Sequence, residues 1–272
     1  MTVAEGRAGA EAGWAVVRVA AAAARDALGD RLTSVYAIGS LAHGGFGPAV
    51  SDVDLALLTE EAIGSEETSR IAASTEAELR TELSRRLSIF HVPWRAFAAP
   101  PAGSRFPALD RLDLVRSGVL VGGADVRVAT PAPPRMEVVA EAVRFAVERL
   151  NSEMTRAVIS RPFPGAQGLR ETTKLVLHPV RLLFVACTGN VGGNDEAVGH
   201  YHRVTGASRL EVVDHALGWR RTGSIPDGES AEGLLRSQLL PLHRQVLDLL
   251  RATPGLPERR ALASLASDFE CL

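Results

Sequence analysis

The chain has 272 residues, 46% hydrophobic and 23% charged, with a formal net charge of −2. These values fit a folded soluble protein and exclude a disordered tail, a fibrous repeat and an electrostatic nucleic-acid binder. Two cysteines, Cys187 and Cys271, are too few for a disulfide framework or a cysteine zinc cluster. Arg18 and Arg25 interrupt the first apolar stretch and Glu5 and Glu11 precede it, unlike a signal peptide. No uncharged apolar run reaches the roughly 18 residues of a membrane span. A cytoplasmic location is the expectation, with no membrane and no nucleic acid as partners. Of 30 basic residues, 29 are arginine, and Lys174 is the one lysine.

Residues 10–28 carry Trp14, Val17, Ala21, Ala24 and Leu28 at helical spacing, with Gly29 as a stop. A strand follows at Ser34–Ile38, ending in Gly39-Ser40, and a glycine-rich connection runs from Leu41 to Ser51. Val53–Leu58 reads as a second strand, 66–86 as a helix with Ser65 as its N-cap, and Leu87–Val92 as a third strand. The segment Pro93–Pro107 is expected to be an irregular loop, Ala108–Arg116 a short helix, and Gly118–Gly122 a short strand or turn. Pro131-Ala132-Pro133-Pro134 continues neither a helix nor a central strand, so it marks a boundary between domains at 1–130 and 135–272. Beyond it the pattern is helical, with helices expected near 135–158, 168–188, 194–204, 207–220, 231–251 and 257–268. Breaks are expected at Arg161–Gly165, Gly189–Gly193 and Gly223–Gly228. The fold class is therefore an α/β (α+β) core with a small mixed sheet, followed by an all-α helical bundle.

The chemistry concentrates in Ala37-Ile38-Gly39-Ser40, followed after eleven residues by Asp52-Val53-Asp54-Leu55. Strand alternation turns Asp52 and Asp54 to one face, a few ångströms apart. Two anionic oxygen donors so close invite a divalent cation between them, and magnesium suits such oxygens and bridges phosphates. Gly39 lacks a Cβ, so a phosphate has room to approach the backbone. Ser40 adds a hydroxyl and starts a helix whose first N–H groups favour anions. A lone Asp-x-Asp is an ordinary strand edge and a lone Gly-Ser an ordinary turn. Together, in an otherwise apolar strand, the carboxylates need a compensating partner.

The run Gly39-Ser40…Ser51-Asp52-Val53-Asp54-Leu55 resembles the signature of the DNA polymerase β-like nucleotidyltransferase superfamily. The segment Gly39-Ser40-Leu41-Ala42-His43-Gly44-Gly45-Phe46, leading to Ser51-Asp52, is similar to the streptomycin/spectinomycin adenylyltransferases, a branch of the aminoglycoside nucleotidyltransferases. In the second half, Val176–Phe184, Thr188-Gly189 and Asn194–Val198 resemble that branch's C-terminal helical domain. The resemblance implies that Gly39 and Ser40 hold the nucleotide triphosphate and that Asp52 and Asp54 bind magnesium, two ions in all. It implies that Arg181 lies near the ATP phosphates, with a helix-surface arginine as the alternative. Glu171 falls near an acidic position that contacts the aminoglycoside; a solvated helix-start carboxylate is the other reading. Lys174 precedes Arg181 by seven residues, two helical turns, so both share a face and Lys174 is a second candidate for the phosphates.

Two departures stand out. The superfamily carries a third carboxylate on the strand after the long helix, where this chain has Ser88, and Asn194 replaces a phosphate-binding lysine. His91, Asp110 and Asp113 are the substitutes for the missing acid. His91 has the wrong strand parity, and the two aspartates read best as the polar face of a short helix. Trp94 is either an acceptor-site wall or a packing residue, and His200 and His202 either a metal pair or a helix-end surface. The expected activity is transfer of AMP from ATP, with magnesium, to a hydroxyl of an aminoglycoside-like antibiotic or other small polar acceptor. The alternatives are a nucleotide-binding regulator that has lost catalysis and a protein-modifying transferase of the toxin–antitoxin kind. The acceptor, the base preference and the oligomeric state stay open.

Overall fold

The computed structural model describes residues 3–100, 105–151, 155, 168–226 and 229–270. The break expected at Arg161–Gly165 and the end of the expected 135–158 helix, 156–158, lie outside the described residues. The chain divides into two compact units, Met1–Pro133 and Pro134–Leu272.

The first unit runs α1 (Val3–Leu28), β1 (Leu32–Ile38), α2 (Ser40–His43), β2 (Val53–Thr59), α3 (Ser65–Leu79), β3 (Leu87–Pro93), α4 (Ala108–Ser117) and β4 (Val119–Gly123). The strands form one mixed sheet in the order β3-β2-β1-β4. β1 is antiparallel to β2 and β4, and β2 is parallel to β3 through the α3 crossover.

Strand alternation divides the side chains between two faces. Val35, Ala37, Val53, Leu55, Leu57 and Ile89 pack with Val17, Ala20, Ala21 and Ala24 of α1 and Ile71 of α3. Positions 17, 21, 24 and 28 form one helical stripe, and the alanines in it let α1 lie close to the sheet. Tyr36, Ile38, Ala56, Leu58 and Val92 go to the other face, with Phe97, Phe106 and Leu114 of the loop and α4. Each fully buried leucine or isoleucine in these layers contributes about 2 kcal/mol. The loop expected at Pro93–Pro107 opens with a short 3-10 turn at Trp94–Ala96.

α3 is shorter than its sequence pattern. It begins after Gly64, whose N–H is accepted by the Glu67 carboxylate at 2.6 Å, so Gly64 rather than Ser65 is the N-cap. It ends where Arg80 turns left-handed at φ 51°. Beyond Arg80 the Thr81 and Ser84 hydroxyls satisfy local backbone groups, Ser84 Oγ donating to Thr81 O at 2.7 Å, which closes a turn in place of another helical turn.

Among the described residues the regular elements of the second unit are helices: α5 (Arg135–Leu150), α6 (Gly168–Thr188), α7 (Asn194–Thr205), α8 (Glu211–Thr222), α9 (Glu229–Ala252) and α10 (Arg259–Glu270). α6 is the central element, packed against α5, α7, α8 and α9. Pro179 lies inside α6 and has no N–H for the Leu175 carbonyl four residues back. His243 of α9 supplies the missing donor: its Nε2 lies 3.0 Å from Leu175 O. The carbonyl only accepts, so Nε2 carries the proton. His243 is 1% exposed and its ring stacks on Phe269 with an interplanar angle of 4°. No described helix is long and apolar enough to cross a membrane.

Candidate active site

The register that pairs β1 with β2 sets Ile38 opposite Asp54. The Gly39-Ser40 turn leaving β1 therefore lies beside the Asp54 carboxylate. Gly39 has φ +69° and ψ −153°, a region that side-chain-bearing residues avoid. A Cβ at Gly39 would lie 2.5 Å from Asp54 Oδ2. The space that sequence reasoning reserved for a phosphate is thus taken by Asp54. Ser40 opens α2, but α2 has only four residues, too few aligned peptides for the helix-dipole effect expected of it.

The second strand of the motif is anchored from a distance. Ser51 is buried and its Oγ accepts the Gly47 N–H at 3.1 Å, while its own N–H donates to Gly47 O at 2.8 Å. The Arg86 guanidinium donates to Ser51 O at 2.8 Å and also to Pro48 O. These bonds fix the connection from which Asp52 and Val53 emerge. Nothing in the local sequence marks Arg86, because its acceptors lie about 35 residues away.

In the parallel β2–β3 pair, Ser88 sits next to Asp54 and on the same face. His91 pairs with Leu57 and so belongs to the opposite face, with α1 and α3. Burial, and then the positive charge of Arg105, hold the His91 pKa below its ordinary value. His91 is therefore no substitute for an acid at Asp54. Asp110 lies in the first turn of α4.

Asp113 departs from its sequence reading. It is not on a polar helix face but 6% exposed, and its Oδ2 accepts the Gly39 N–H at 2.6 Å. Its Oδ1 is buried and has no hydrogen-bond partner among the described residues. Asp54 and Asp113 thus flank the same glycine, a juxtaposition that no local spacing announces.

Asp52 and Asp54 offer the hard carboxylate oxygens that magnesium accepts, so the donor set fits such an ion. Among the described residues no group of three or more His, Cys, Asp and Glu side chains gathers as a metal site. His200 and His202 go to separate partners: His200 meets the Phe184 ring edge-on at 5.7 Å, and His202 Nε2 lies 3.0 Å from Asp214 Oδ1. Trp94 donates its indole N–H to Glu60 at 2.9 Å beyond the far end of β3, about 17 Å along the strand from Ser88. It does not share the Asp54 end of the sheet.

Lys174 and Arg181 belong to the second unit, on α6. Positions 174, 178 and 181 follow one helix face, and His178 lies between the two cations. Burial, then the charges of Arg181, Arg149 and Lys174, hold the His178 pKa down to about 3. Arg181 is exposed, and Glu171 is paired with Arg170 at 2.6 Å. Asn194 is the first residue of α7.

No protein-family model matches the chain, and no curated protein does. Among solved structures, the chain is similar to the spectinomycin adenyltransferase AAD(9) from Enterococcus faecialis, crystallised with ATP and spectinomycin. The two are 14% identical, with a TM-score of 0.58, over 86% of this chain and 98% of that one. At that identity the likeness shows the fold alone: an α/β core with a small mixed sheet, and a helical second half.

Proposed function

We propose that the protein is a nucleotidyltransferase that moves AMP from ATP to a hydroxyl of a small polar acceptor of the aminoglycoside kind. The observation that carries this reading is Asp54 seated against the Cβ-less Gly39, beside Ser40 and two residues from Asp52. The Asp54 carboxylate beside a glycine turn, with Asp52 two residues before it, suits a magnesium nucleotide. Asp52 and Asp54 would hold the magnesium, two ions in the proposed arrangement. When bound, such ions offset the charge that builds on the attacking and leaving oxygens. Ser40 offers its hydroxyl to the phosphates, and Arg181 and Lys174 offer positive charge. In the transfer the acceptor oxygen bonds to the α-phosphorus, the bond to pyrophosphate breaks, and the acceptor proton passes to solvent. The structural neighbour binds ATP and spectinomycin, which makes these the first compounds to try.

The test is incubation with magnesium, labelled ATP and a panel that includes spectinomycin and streptomycin, with the acceptor followed by mass. An acceptor gaining one AMP, lost in Asp54→Asn, supports the reading. A protein that neither binds magnesium-ATP nor modifies any acceptor refutes it. Ser88 beside Asp54 favours one second reading, a nucleotide-binding regulator without turnover, because a serine hydroxyl does not accept a proton at neutral pH as a carboxylate does. Magnesium-ATP binding without acceptor modification would support that version.

A further inference from the structure

We infer that Asp113 is the positioning residue of this site: through the Gly39 N–H it holds the turn that seats Asp54 and carries Ser40. The inference rests on the proposed nucleotide site and names the residue that shapes it. Gly39 has a backbone conformation with little intrinsic preference, and its neighbours within the turn hold only its carbonyl, which accepts the N–H groups of Ala42 at 3.0 Å and His43 at 3.1 Å. Asp113 grips the other side of the residue at 2.6 Å, a short, charge-assisted bond from an element 74 positions away in the chain. A carboxylate in this place is costly. It is 6% exposed, and Oδ1 is left without a partner among the described residues. An apolar residue would fill the same space of α4 between Leu112 and Leu114 without that cost. A hydrogen-bond acceptor in this place is explained if the glycine turn must be rigid, since a loose Gly39 would free Asp54 to fill or leave the space beside it. The same bond occupies the Gly39 N–H, so that group is not a donor to phosphate. The role of Gly39 is then to shape the site.

The experiment compares the full-length wild type with Asp113→Leu, of similar volume and no acceptor, and Asp113→Asn, which keeps an oxygen. Magnesium with adenosine 5′-(α,β-methylene)triphosphate is titrated calorimetrically into each, and Gly39 amide exchange is followed by NMR. Asp113→Leu is expected to lose protection at Gly39 and to bind about tenfold more weakly, whereas Asp113→Asn stays within about threefold and keeps the protection. Rescue by asparagine separates positioning from loss of packing or charge. A wild type that binds no nucleotide defeats the proposed function and this inference with it. A wild type that binds, with Asp113→Leu equally tight or Asp113→Asn as weak as Asp113→Leu, overturns the inference alone. If circular dichroism shows Asp113→Leu unfolded, Asp113→Ser, too short to reach Gly39, takes its place with the same two outcomes.

Discussion

Replacing Gly39 by alanine separates two effects that the site combines. The first is conformational: φ +69° with ψ −153° is a glycine-only region, and forcing a side-chain-bearing residue into it costs about 1–3 kcal/mol. The second is steric. The new Cβ would lie 2.5 Å from Asp54 Oδ2, and ordinary contact begins at 3.4 Å, so Asp54 must retreat by about 0.9 Å (3.4 less 2.5). A displacement near 1 Å in a catalytic group is enough to cost about a hundredfold in rate. Gly44 provides the control. It has φ 88° and ψ 171°, and nothing lies within 4 Å of its would-be Cβ. Gly44→Ala therefore shares the conformational cost without the steric one. In thermal melts both variants should lose stability, each by about 1–3 kcal/mol. In turnover with magnesium-ATP, or in calorimetric binding where turnover is absent, only Gly39→Ala should fall sharply. Equal behaviour of the two variants in the binding assay would refute the idea that Gly39 exists to seat Asp54.

Two further outcomes are expected. Burial holds the His243 pKa down to about 4 against an ordinary 6.5, so between these values the unfolded chain takes up a proton that the folded chain refuses. Stability is then complete above pH 6.5 and declines as pH falls toward 4, by about 3 kcal/mol for this residue. His178, held to about 3, adds to the decline in the same direction. Urea denaturation at pH 7 and pH 4.5 should show His243→Gln, which keeps a donor for Leu175 O, losing clearly less stability than the wild type; an equal loss would rule out His243 as a source of acid sensitivity. Lys174→Ala and Arg181→Ala should each weaken magnesium-ATP binding by about three- to tenfold, as expected for a single phosphate contact near the protein surface. Unchanged affinity in both would withdraw Lys174 and Arg181 from the proposed function.

The chain order of helices and strands was legible because each segment carries its own local pattern. Short apolar runs bounded by glycine, serine and aspartate mark β1 and β2, and the stripe Val17, Ala21, Ala24 and Leu28 marks α1. Where the reading missed, the deciding bond was of a kind that periodicity does not register. The end of α3 is set by a left-handed Arg80 and by hydroxyl-to-backbone bonds at Thr81 and Ser84, while the apolar spacing continues past it. α6 runs through Pro179 over 168–188 as expected, but the donor that His243 supplies to the Leu175 carbonyl, 68 residues away in the chain, has no trace in the local spacing.

The same limit governs the candidate site. The approach of Gly39 to Asp54 was legible because the end of β1 and the start of β2 are close in sequence. The carboxylate count was not. Ser88 does occupy the strand position next to Asp54, so the acid missing from the strand is missing in space at that point. However, a site is defined by which atoms reach it. α4 packs on the face of the sheet that carries Asp54, and one residue of that helix, Asp113, reaches the Gly39 backbone. Its burial was hidden because Arg111, Leu112, Asp113 and Leu114 are buried in succession, which erases the polar face that a helical period would assign to Asp113. The absence of an acid at one sequence position therefore carries no conclusion about the acidity of the site, and the weight of the regulator reading falls on Ser88 as a poor proton acceptor rather than on a shortage of carboxylates.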